Sequence, residues 1–451
     1  MSYAAAVERL LALGHELHAT PSHKFDLGNM RVLLEALAHP ERKFSSVLIA
    51  GTNGKGSTAA TLASILEVAG HRTGLYTSPH LLRVNERIRV MGEEISDDEF
   101  AKAHERVEEA AQKLVTAGSL PWHPSFFEML TAMAFEHFAR TGVRLAVLEV
   151  GMGGRLDATN VVEPVLSVIT DIALDHQKFL GNTIAEIARE KAGIIRPGGV
   201  VVTLPQHPEA NDVLGNTILE RDARGVNAVP YVPPVSPGSE LETRNWKRET
   251  DFRSHYPLEV LGSTITVDSP LAGRHQLRNL ALAIAAAVEL NAQGFALTAR
   301  DVERGIRETR WRGRLEMLPA AAGRPAVLLD AAHNPAGAWA LRAALSELAG
   351  EQPVTLVFAA MRDKAIGEMA EILFPVAAHV VATRAQNPRS ATPDEVRAAA
   401  ARLGQEIAAE PDVPAALRRA FQFAGPDGLV VVAGSIYIIG EAIETIESVN
   451  Q

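Results

Sequence analysis

The chain has 451 residues, of which 47% are hydrophobic, and its formal net charge is −10. This length exceeds what one ordinary hydrophobic core supports, so we expect at least two domains. The negative charge argues against non-specific binding to nucleic acids or anionic membranes, so any anionic ligand must be held by a local group of residues. The chain contains no cysteine, which excludes disulfides, thiolate nucleophiles and cysteine-based metal sites.

Targeting and membrane signals are not visible in the sequence. Met1 to Leu13 has no basic segment followed by a long apolar one. No run approaches the roughly 20 apolar residues of a membrane-spanning helix. We therefore expect a cytoplasmic protein with neither a membrane nor a nucleic acid as its partner.

The first 40 residues predict two helices around a polar link at 19–29. They precede the stretch Val47-Leu48-Ile49-Ala50-Gly51-Thr52-Asn53-Gly54-Lys55-Gly56-Ser57-Thr58, which predicts a buried strand, a loop and a helix over 58–69. The loop glycines let backbone N–H groups converge at the helix N-terminus, and Lys55 adds a positive charge. We interpret the loop as a polyphosphate site, the alternative being a simple turn. In the common phosphate loop Ser or Thr directly follows Lys, whereas here Gly56 comes before Ser57.

Strands and helices alternate along the following 130 or so residues. We predict a strand at 73–76, helices at 96–117 and 125–140, strands at 145–150 and 164–169, a helix at 183–192 and a strand at 200–204. The helix at 96–117 begins with a capping box of Ser96 and Glu99. This alternation predicts a doubly wound, mostly parallel α/β sheet whose ligands bind beyond the carboxyl ends of its strands. The phosphate loop, Ser78, Glu149 and His176 all fall at such ends.

The pattern changes at residues 205–270, where a polar, proline-rich sequence predicts hairpins or an irregular flap. A helix at 277–290 follows, and we place a domain boundary near 293–298. Strands at 326–329, 354–358, 379–382 and 429–432 then alternate with helices again. We therefore predict a first domain at residues 1–296 and a smaller, Rossmann-like α/β domain at residues 297–451.

Several polar residues stand out against this background. Glu149 ends an apolar strand, where a carboxylate is costly unless a cation compensates it. A magnesium ion bridging nucleotide phosphates is one such cation, and a structural pair with Arg155 is the alternative. Ser78 fits the same ion or a simple turn equally well. Taken alone, His176 and Lys191 favour structural roles, Lys191 because it lies in the last turn of its helix.

The second half of the chain carries further polar clusters at 311–314 and 329–335. Arg314 would neutralise phosphate charge, and Asp330 would bind a ribose hydroxyl or orient an Arg or Lys side chain. A phosphate loop in one domain, with Arg314, Asp330 and His333 in the other, predicts a nucleotide held in a cleft that closes for chemistry.

Short motifs extend over nearly the whole chain, and they are Phe25-Asp26-Leu27-Gly28, Gly51 to Thr58, Thr77 to Leu81, Val84-Asn85-Glu86-Arg87-Ile88, Glu149 to Asn160, Leu174-Asp175-His176, Glu190 to Ile194, Gly273-x-His275-Gln276-x-x-Asn279, Gly313-Arg314, Asp330 to Pro335 and Gly434-Ser435-x-Tyr437. In this order they resemble the folylpolyglutamate synthase/dihydrofolate synthase family of the Mur ligase superfamily. Two positions depart from the family pattern: Asp171 stands where Asn is frequent, and Arg312 where Pro is usual. Neither departure removes a named functional group.

The resemblance implies roles for individual residues. It implies ATP contacts by Thr52, Asn53, Gly54, Lys55, Gly56, Ser57, Asn279, Arg314 and Asp330. It implies that two Mg²⁺ ions are used, with Ser78, Glu149 and His176 as metal ligands. It implies that Lys191 is carbamylated. It implies a pterin site lined by Lys24, Phe25, Asp26, Leu27, Ser125, Phe126, Phe127, Glu128, Leu156, Asp157 and Ala158. It implies a catalytic group made of Lys55, His176, Lys191, Arg314 and His333.

The reaction implied by this resemblance is ATP-dependent addition of L-glutamate to dihydropteroate or to the terminal glutamate of a reduced folate, through an acyl phosphate. The family default is a monomer with small-molecule substrates. A cell-wall Mur ligase is the nearest alternative, but about 50 residues before the phosphate loop leave no room for its UDP-sugar-binding domain. The other alternative is a nucleotide-dependent switch without ligase activity. Such a protein would not need Arg314 or Asp330. The resemblance does not decide whether the acceptor is dihydropteroate, a reduced folate or both.

Overall fold

The computed structural model describes residues 1–14, 26–234, 253–321, 323–348 and 352–449. The helices are α1 (Tyr3–Ala12), α2 (Leu27–Ala36), α3 (Lys55–Val68), α4 (Asp97–Thr116), α5 (Phe126–Arg140), α6 (Gln177–Leu180), α7 (Ile184–Ala192), α8 (Pro208–Glu220), α9 (Arg274–Ala292), α10 (Ala299–Glu308), α11 (Pro335–Leu348), α12 (Ile366–Leu373), α13 (Pro393–Ala399), α14 (Val413–Ala424) and α15 (Ile436–Val449). The strands are β1 (Ser45–Ala50), β2 (Thr73–Tyr76), β3 (Ile88–Val90), β4 (Glu93–Glu94), β5 (Leu145–Glu149), β6 (Leu166–Ile169), β7 (Val200–Thr203), β8 (Arg224–Asn227), β9 (Ser254–Val260), β10 (Ser263–Ser269), β11 (Glu316–Leu318), β12 (Ala326–Asp330), β13 (Val354–Phe358), β14 (His379–Ala382), β15 (Ile407–Ala409) and β16 (Leu429–Ala433). Among the residues covered by these ranges, no helix has the length and apolarity needed to span a membrane.

The first sheet has eight strands in the order β4-β3-β2-β5-β1-β6-β7-β8. The strands from β2 to β8 in this order pair in parallel, and β3 and β4 form an antiparallel edge. The side chains of β1 alternate between two hydrophobic cores, with Leu48 and Ala50 in one and Val47 and Ile49 in the other. Because both faces of the sheet are covered, β1 is apolar almost throughout, as its sequence predicts.

This strand order places the ends of four neighbouring strands side by side. Ile49 in β1 pairs with Glu149 at the end of β5, and Ala50 pairs with Ile169 at the end of β6. Tyr76 at the end of β2 pairs with Leu148. The four loops that follow these strands therefore meet at one edge of the sheet, and they contain the phosphate loop, Ser78, the glycine-rich segment after Glu149, and His176.

The second sheet has six strands in the order β11-β12-β16-β13-β14-β15. All are parallel except the edge strand β11. Leu328 of β12 packs in one core and its neighbours Val327 and Leu329 pack in the other, so this sheet too is covered on both faces. The doubly wound α/β class predicted for both halves is confirmed, and three predicted strands, β2, β13 and β14, have the predicted bounds.

Several predicted helix boundaries are wrong, and helix α9, for example, spans Arg274–Ala292 rather than residues 277–290. Helix α3 begins at Lys55 rather than residue 58, because Gly54 adopts a left-handed conformation with φ of 89° and caps the helix there. Helix α2 begins at Leu27, inside the predicted polar link, and Asp26 caps it by accepting a hydrogen bond from Gly28 N. Residues 15–25 of that link lie outside the described residues. The serine half of the predicted capping box of α4 is present, with Ser96 accepting from Glu99 N.

The interpretation of residues 205–270 as hairpins or a flap is only partly right. Strands β9 and β10 do form a hairpin. However, the segment also contains helix α8 and strand β8, which extends the first sheet. Residues 235–252, which include Ser236 to Gly238 of the proline-rich run, lie outside the described residues.

The helix directly after the predicted boundary, α10, packs with the first domain. Val302 and Ile306 of α10 belong to the same core as Ile65 of α3. Gly305 approaches the Ile65 backbone so closely that a Cβ there would lie 2.4 Å from its Cα. The division at residue 296 stays a prediction, and this packing favours a later junction, between Glu308 and Glu316.

Candidate active site at the junction of the two domains

The conformation of the phosphate loop depends on Gly54 and on two lysines that donate hydrogen bonds to the same backbone carbonyl oxygen. Lys55 Nζ donates to the backbone oxygens of Gly51 and Thr52, at 3.2 and 3.3 Å. Lys191 Nζ, from α7, donates to the same Gly51 oxygen at 2.6 Å. The loop thus brings two amine groups to the N-terminus of α3, where the helix dipole adds positive potential. An anion such as a polyphosphate is the ligand that this arrangement favours.

Elements from elsewhere in the chain pack tightly on this loop. A Cβ on Gly54 would lie 2.0 Å from Asn279 Oδ1 of α9, and one on Gly56 would lie 2.6 Å from a ring carbon of Trp311. Asn279 is itself fixed by a 2.8 Å hydrogen bond to Gln276. The structure therefore brings Asn279 to the phosphate loop, although the two are far apart in sequence.

Glu149 lies buried at the end of β5 and accepts a 3.1 Å hydrogen bond from the backbone N of Ser78. Burial raises the pKa of its carboxyl group, against the opposing charge of Lys55 and the hydrogen bond from Ser78. The alternative pair with Arg155 is not formed, because Arg155 binds Glu190 instead, at 2.9 Å. The carboxylate therefore remains available for a cation.

His176 follows β6 and has a left-handed backbone with φ of 50°. Burial and the charge of Lys364 lower its pKa to about 3, so the ring is neutral. Within the described part of the chain, its Nδ1 is buried without a hydrogen-bond partner. A neutral imidazole keeps a lone pair on one ring nitrogen, and through that nitrogen it can bind a metal ion.

Lys191 is buried near the end of α7, with 3% of its surface exposed. Burial, together with the charge of Lys55, lowers the pKa of Lys191 to about 7. A substantial fraction of this amine is therefore uncharged near neutrality.

The second domain supplies a facing group of polar residues. Asp330 at the end of β12 accepts hydrogen bonds from Leu315 N and Ala332 N, at 2.9 and 3.0 Å. Burial lowers the pKa of Arg314, against the opposing charges of Asp330 and Glu149. Arg314 therefore acts electrostatically on a carboxylate of the first domain. His333 lies nearby, with Nε2 3.5 Å from Asp175 Oδ2.

The residues predicted to line a pterin site are distributed over several local structures. Ser125 and Glu128 form a reciprocal capping box on α5. Phe126 is buried, with the Arg87 guanidinium over its ring. Phe127 packs against Gly151, which lies in the glycine-rich segment after β5. Asp157 is buried and accepts hydrogen bonds from Met152 N and Thr159 N.

Other members of that set are less informative. Leu156 is partly exposed beside the buried Ala158, and Asp26 and Leu27 start α2. Lys24 and Phe25 lie outside the described residues.

Sequence reasoning missed three polar residues at the junction. Asn334 exchanges hydrogen bonds with Asn53 of the phosphate loop, at 2.9 and 3.3 Å. Asp175 and Lys364 form an ion pair at 2.6 Å between the two domains. The unusual Asp171 is bound by Arg278, whose guanidinium lies 2.6 Å from one carboxylate oxygen. Asp175 and Asn334 lie inside motifs already singled out, but their own roles had no sequence signal.

Comparison with known proteins agrees with this architecture. Residues 49–287 match the Mur ligase middle domain, and residues 313–436 match the Mur ligase, glutamate ligase domain. The chain is 34% identical over 418 residues to the dihydrofolate synthase/folylpolyglutamate synthase of Bacillus subtilis (strain 168), covering 92% of this chain and 93% of that protein. It is 30% identical over 431 residues to the Escherichia coli (strain K12) protein of the same name, covering 95% and 93%.

A solved structure and a longer relative also resemble this chain. The folylpolyglutamate synthase of Mycobacterium tuberculosis, solved in complex with ADP and AMPPCP, has a TM-score of 0.84 and 32% identity, covering 98% of each chain. The chain also spans half the length of a Haloferax volcanii relative named probable bifunctional folylpolyglutamate synthase/dihydropteroate synthase, with 35% identity over 447 residues.

A phosphate loop and a glutamate ligase domain on two joined α/β sheets define a Mur-type, ATP-dependent ligase. Within that superfamily, the chain belongs to the folylpolyglutamate synthase/dihydrofolate synthase family. The family resemblance predicted from the sequence motifs is confirmed.

Proposed function

We propose that this protein adds L-glutamate to dihydropteroate, to the terminal glutamate of a reduced folate, or to both, with ATP as the energy source. The observation that carries the proposal is the pair formed by Asn53 and Asn334, which sets the second domain directly on the phosphate loop. A nucleotide bound at this loop would contact both domains. Its proposed contacts are Thr52, Asn53, Gly54, Lys55, Gly56, Ser57, Asn279, Arg314 and Asp330.

An acid and an amine do not condense in water near neutrality, so the acid must first be activated. In the proposed first step an oxygen of the acceptor carboxylate bonds to the γ-phosphorus of ATP, and the bond from that phosphorus to the bridging oxygen breaks, releasing ADP. Lys55, Arg314 and the loop N–H groups spread the charge of the transferring group. The glutamate nitrogen then bonds to the acyl carbon, and phosphate leaves with the electrons of the broken C–O bond.

The attacking amine must lose a proton in the second step. A group with a pKa of about 3, as at His176, is a weak base near neutral pH. His333 is the remaining candidate on the second-domain side of the junction, where its Nε2 lies 3.5 Å from Asp175 Oδ2 and its Nδ1 lies 3.0 Å from Ala331 O. We therefore assign the metal-binding role to His176 and the proton-accepting role to His333.

Magnesium is part of the proposal, with Ser78, Glu149 and His176 as its ligands. These residues fit a cation, because Glu149 is a buried carboxylate and the His176 ring is neutral, so that one of its nitrogens keeps a lone pair. No three His, Asp or Glu side chains converge in that part of the chain, so phosphate oxygens would complete the ligand set of the two proposed ions. When bound, magnesium would neutralise charge on the phosphates.

Carbamylation of Lys191 also remains a proposal. The uncharged amine is the form that reacts with carbon dioxide: the N–C bond forms, and the nitrogen loses a proton. A pKa of about 7 makes this form available in the folded protein. Carbon NMR of the protein equilibrated with isotopically labelled bicarbonate tests the modification, with a Lys191→Met variant as the blank.

The proposed pterin site lies near Phe127, Leu156 and the other predicted lining residues, on the first-domain side of the junction. A cytoplasmic monomer completes the proposal, resting on the family alone. The test is phosphate release from ATP, measured with L-glutamate plus either dihydropteroate or tetrahydrofolate in separate reactions. Glutamate-dependent release with at least one acceptor is expected. Release that ignores both acceptors would favour a nucleotide switch, and activity only with a UDP-linked sugar acceptor would favour a cell-wall ligase.

A further inference from the structure

One carboxylate of the first domain is contacted by three groups of the second. Asp175 Oδ1 lies 2.6 Å from Lys364 Nζ. Its other oxygen lies 3.1 Å from Asn334 Nδ2 and 3.5 Å from His333 Nε2. These partners come from two loops of the second domain, after β12 and after β13. Asp175 is therefore a focal point of the contact between the domains.

The Asp175–Lys364 pair differs from an ordinary surface ion pair because both side chains are buried, with 7% and 8% of their surfaces exposed. Exposed pairs contribute little because water screens them and mobile side chains lose entropy. In a buried pair, by contrast, removal of one partner leaves an uncompensated charge out of contact with water. Here that cost arises only while the two domains are together, since each group would be hydrated once they separate. The pair therefore bears on domain closure rather than on the stability of either domain.

The same pair is in contact with His176. Asp175 Oδ1 accepts a 2.8 Å hydrogen bond from His176 N, where the backbone has positive φ. Lys364 Nζ lies 3.4 Å from His176 Nε2. Because an ammonium group only donates, His176 Nε2 accepts in this contact and Nδ1 carries the ring proton. Lys364 therefore contacts both the carboxylate that joins the domains and the imidazole of His176.

We propose that Lys364 is a positioning residue that latches the second domain onto Asp175 and, in doing so, orients His176. Its kinetic consequence rests on the proposed ligase function, whereas its structural consequence does not. Without the ammonium group, ATP still binds the phosphate loop of the first domain, but the closed arrangement forms less often. The turnover number therefore decreases while the affinity for ATP changes little.

The absence of cysteine makes closure directly measurable. Leu219→Cys on α8 and Ala401→Cys in the second domain lie at exposed positions, and spin labels there report the distance between the domains. With a non-hydrolysable ATP analogue bound, the otherwise unchanged protein should give one main distance. Lys364→Met should broaden this distribution toward longer distances. Lys178→Met, an exposed lysine on the neighbouring helix α6, is the matched control and should leave it unchanged.

Kinetics separate positioning from simple damage to the fold. Lys364→Met should lower kcat by roughly tenfold or more, since closure then buries an unpaired carboxylate. The thermal midpoint should stay unchanged, because Asp175 is hydrated when the domains separate. Lys364→Arg should recover part of the loss, and adding Asp175→Asn to Lys364→Met should cost less than the two single effects combined. Because the distance measurement needs no folate, it tests the latch even if the acceptor assignment is wrong. An unchanged distance distribution in Lys364→Met, or a kcat within about twofold of the parent, would overturn the proposal.

Discussion

Replacing Gly54 by alanine tests the claim that the phosphate loop depends on one left-handed residue packed against Asn279. Gly54 has φ of 89°, where an L-residue is strained by about 1–2 kcal/mol. Its new Cβ would also lie 2.0 Å from Asn279 Oδ1, a contact that requires Asn279 to move. Moving it would break the 2.8 Å bond to Gln276 inside a buried site, at a further cost of about 1–3 kcal/mol.

The same helix provides a matched control at its other end. Gly70 follows α3 with φ of 83°, and nothing lies within 4 Å of a Cβ placed there. Gly70→Ala therefore carries the backbone strain without the clash. The difference between the two variants isolates the contact with Asn279 and should amount to about 1–3 kcal/mol.

Chemical denaturation and ATP titration calorimetry measure the two effects. Gly70→Ala should lose about 1–2 kcal/mol of stability and bind ATP as the parent does. Gly54→Ala should lose more, and its ATP affinity should fall by roughly tenfold or more because the loop amides are displaced. Equal stability and equal ATP affinity in the two variants would refute the argument.

Three further predictions concern other parts of the molecule. Lys55→Met should lower kcat by about 10²–10³ without changing the thermal midpoint; steady-state kinetics near the parent level would exclude its role. Asp157→Ala should destabilise the fold by about 1–3 kcal/mol, because it removes a buried acceptor of two N–H groups. Asp212→Ala, at an exposed position, should not destabilise it, and the denaturation midpoints of the two variants test this difference. Burial raises the pKa of Glu67 from 4.5 to about 7. Between these pH values the folded state binds more protons than the unfolded state, so the contribution of Glu67 to the stability of the fold decreases as the pH rises from 4.5 to about 7. Glu67→Gln should therefore stabilise the protein above pH 7, by at most about 3 kcal/mol, with the gain vanishing near pH 4.5; an equal effect at all pH values would contradict this.

Hydrophobic patterning predicted the elements that are buried on both faces. Strands β13 and β14 are short, mostly apolar segments rich in valine, a composition typical of strands buried in a parallel sheet. Helix α8 was missed because it buries only Ala210 and Leu214, while Leu219 is 79% exposed. The amphipathic pattern of helix α10 shows that the helix packs but not against which domain, so its packing with α3 was not visible in the sequence.

The candidate site likewise contains residues whose positions local sequence predicts and residues whose positions it does not predict. The phosphate loop, Glu149 and His176 follow individual strands, so local sequence predicts their place at the sheet edge. Lys364 and Asn334 reach Asp175 across 189 and 159 positions of the chain, respectively. No local spacing reports such contacts, since they depend on how the two domains meet. The start of α3 was likewise set by the left-handed Gly54 rather than by the apolar spacing.

In the proposed reaction, an acid is phosphorylated by ATP at the junction of the two domains before glutamate is joined to it. The acceptor's carboxylate oxygens, labelled with a heavy isotope and followed during ATP-dependent addition of L-glutamate, test this order of events. The proposed bond changes predict that one labelled oxygen is transferred to each molecule of inorganic phosphate released. Phosphate that carries no label, formed at the same rate as the glutamylated product, would contradict the account.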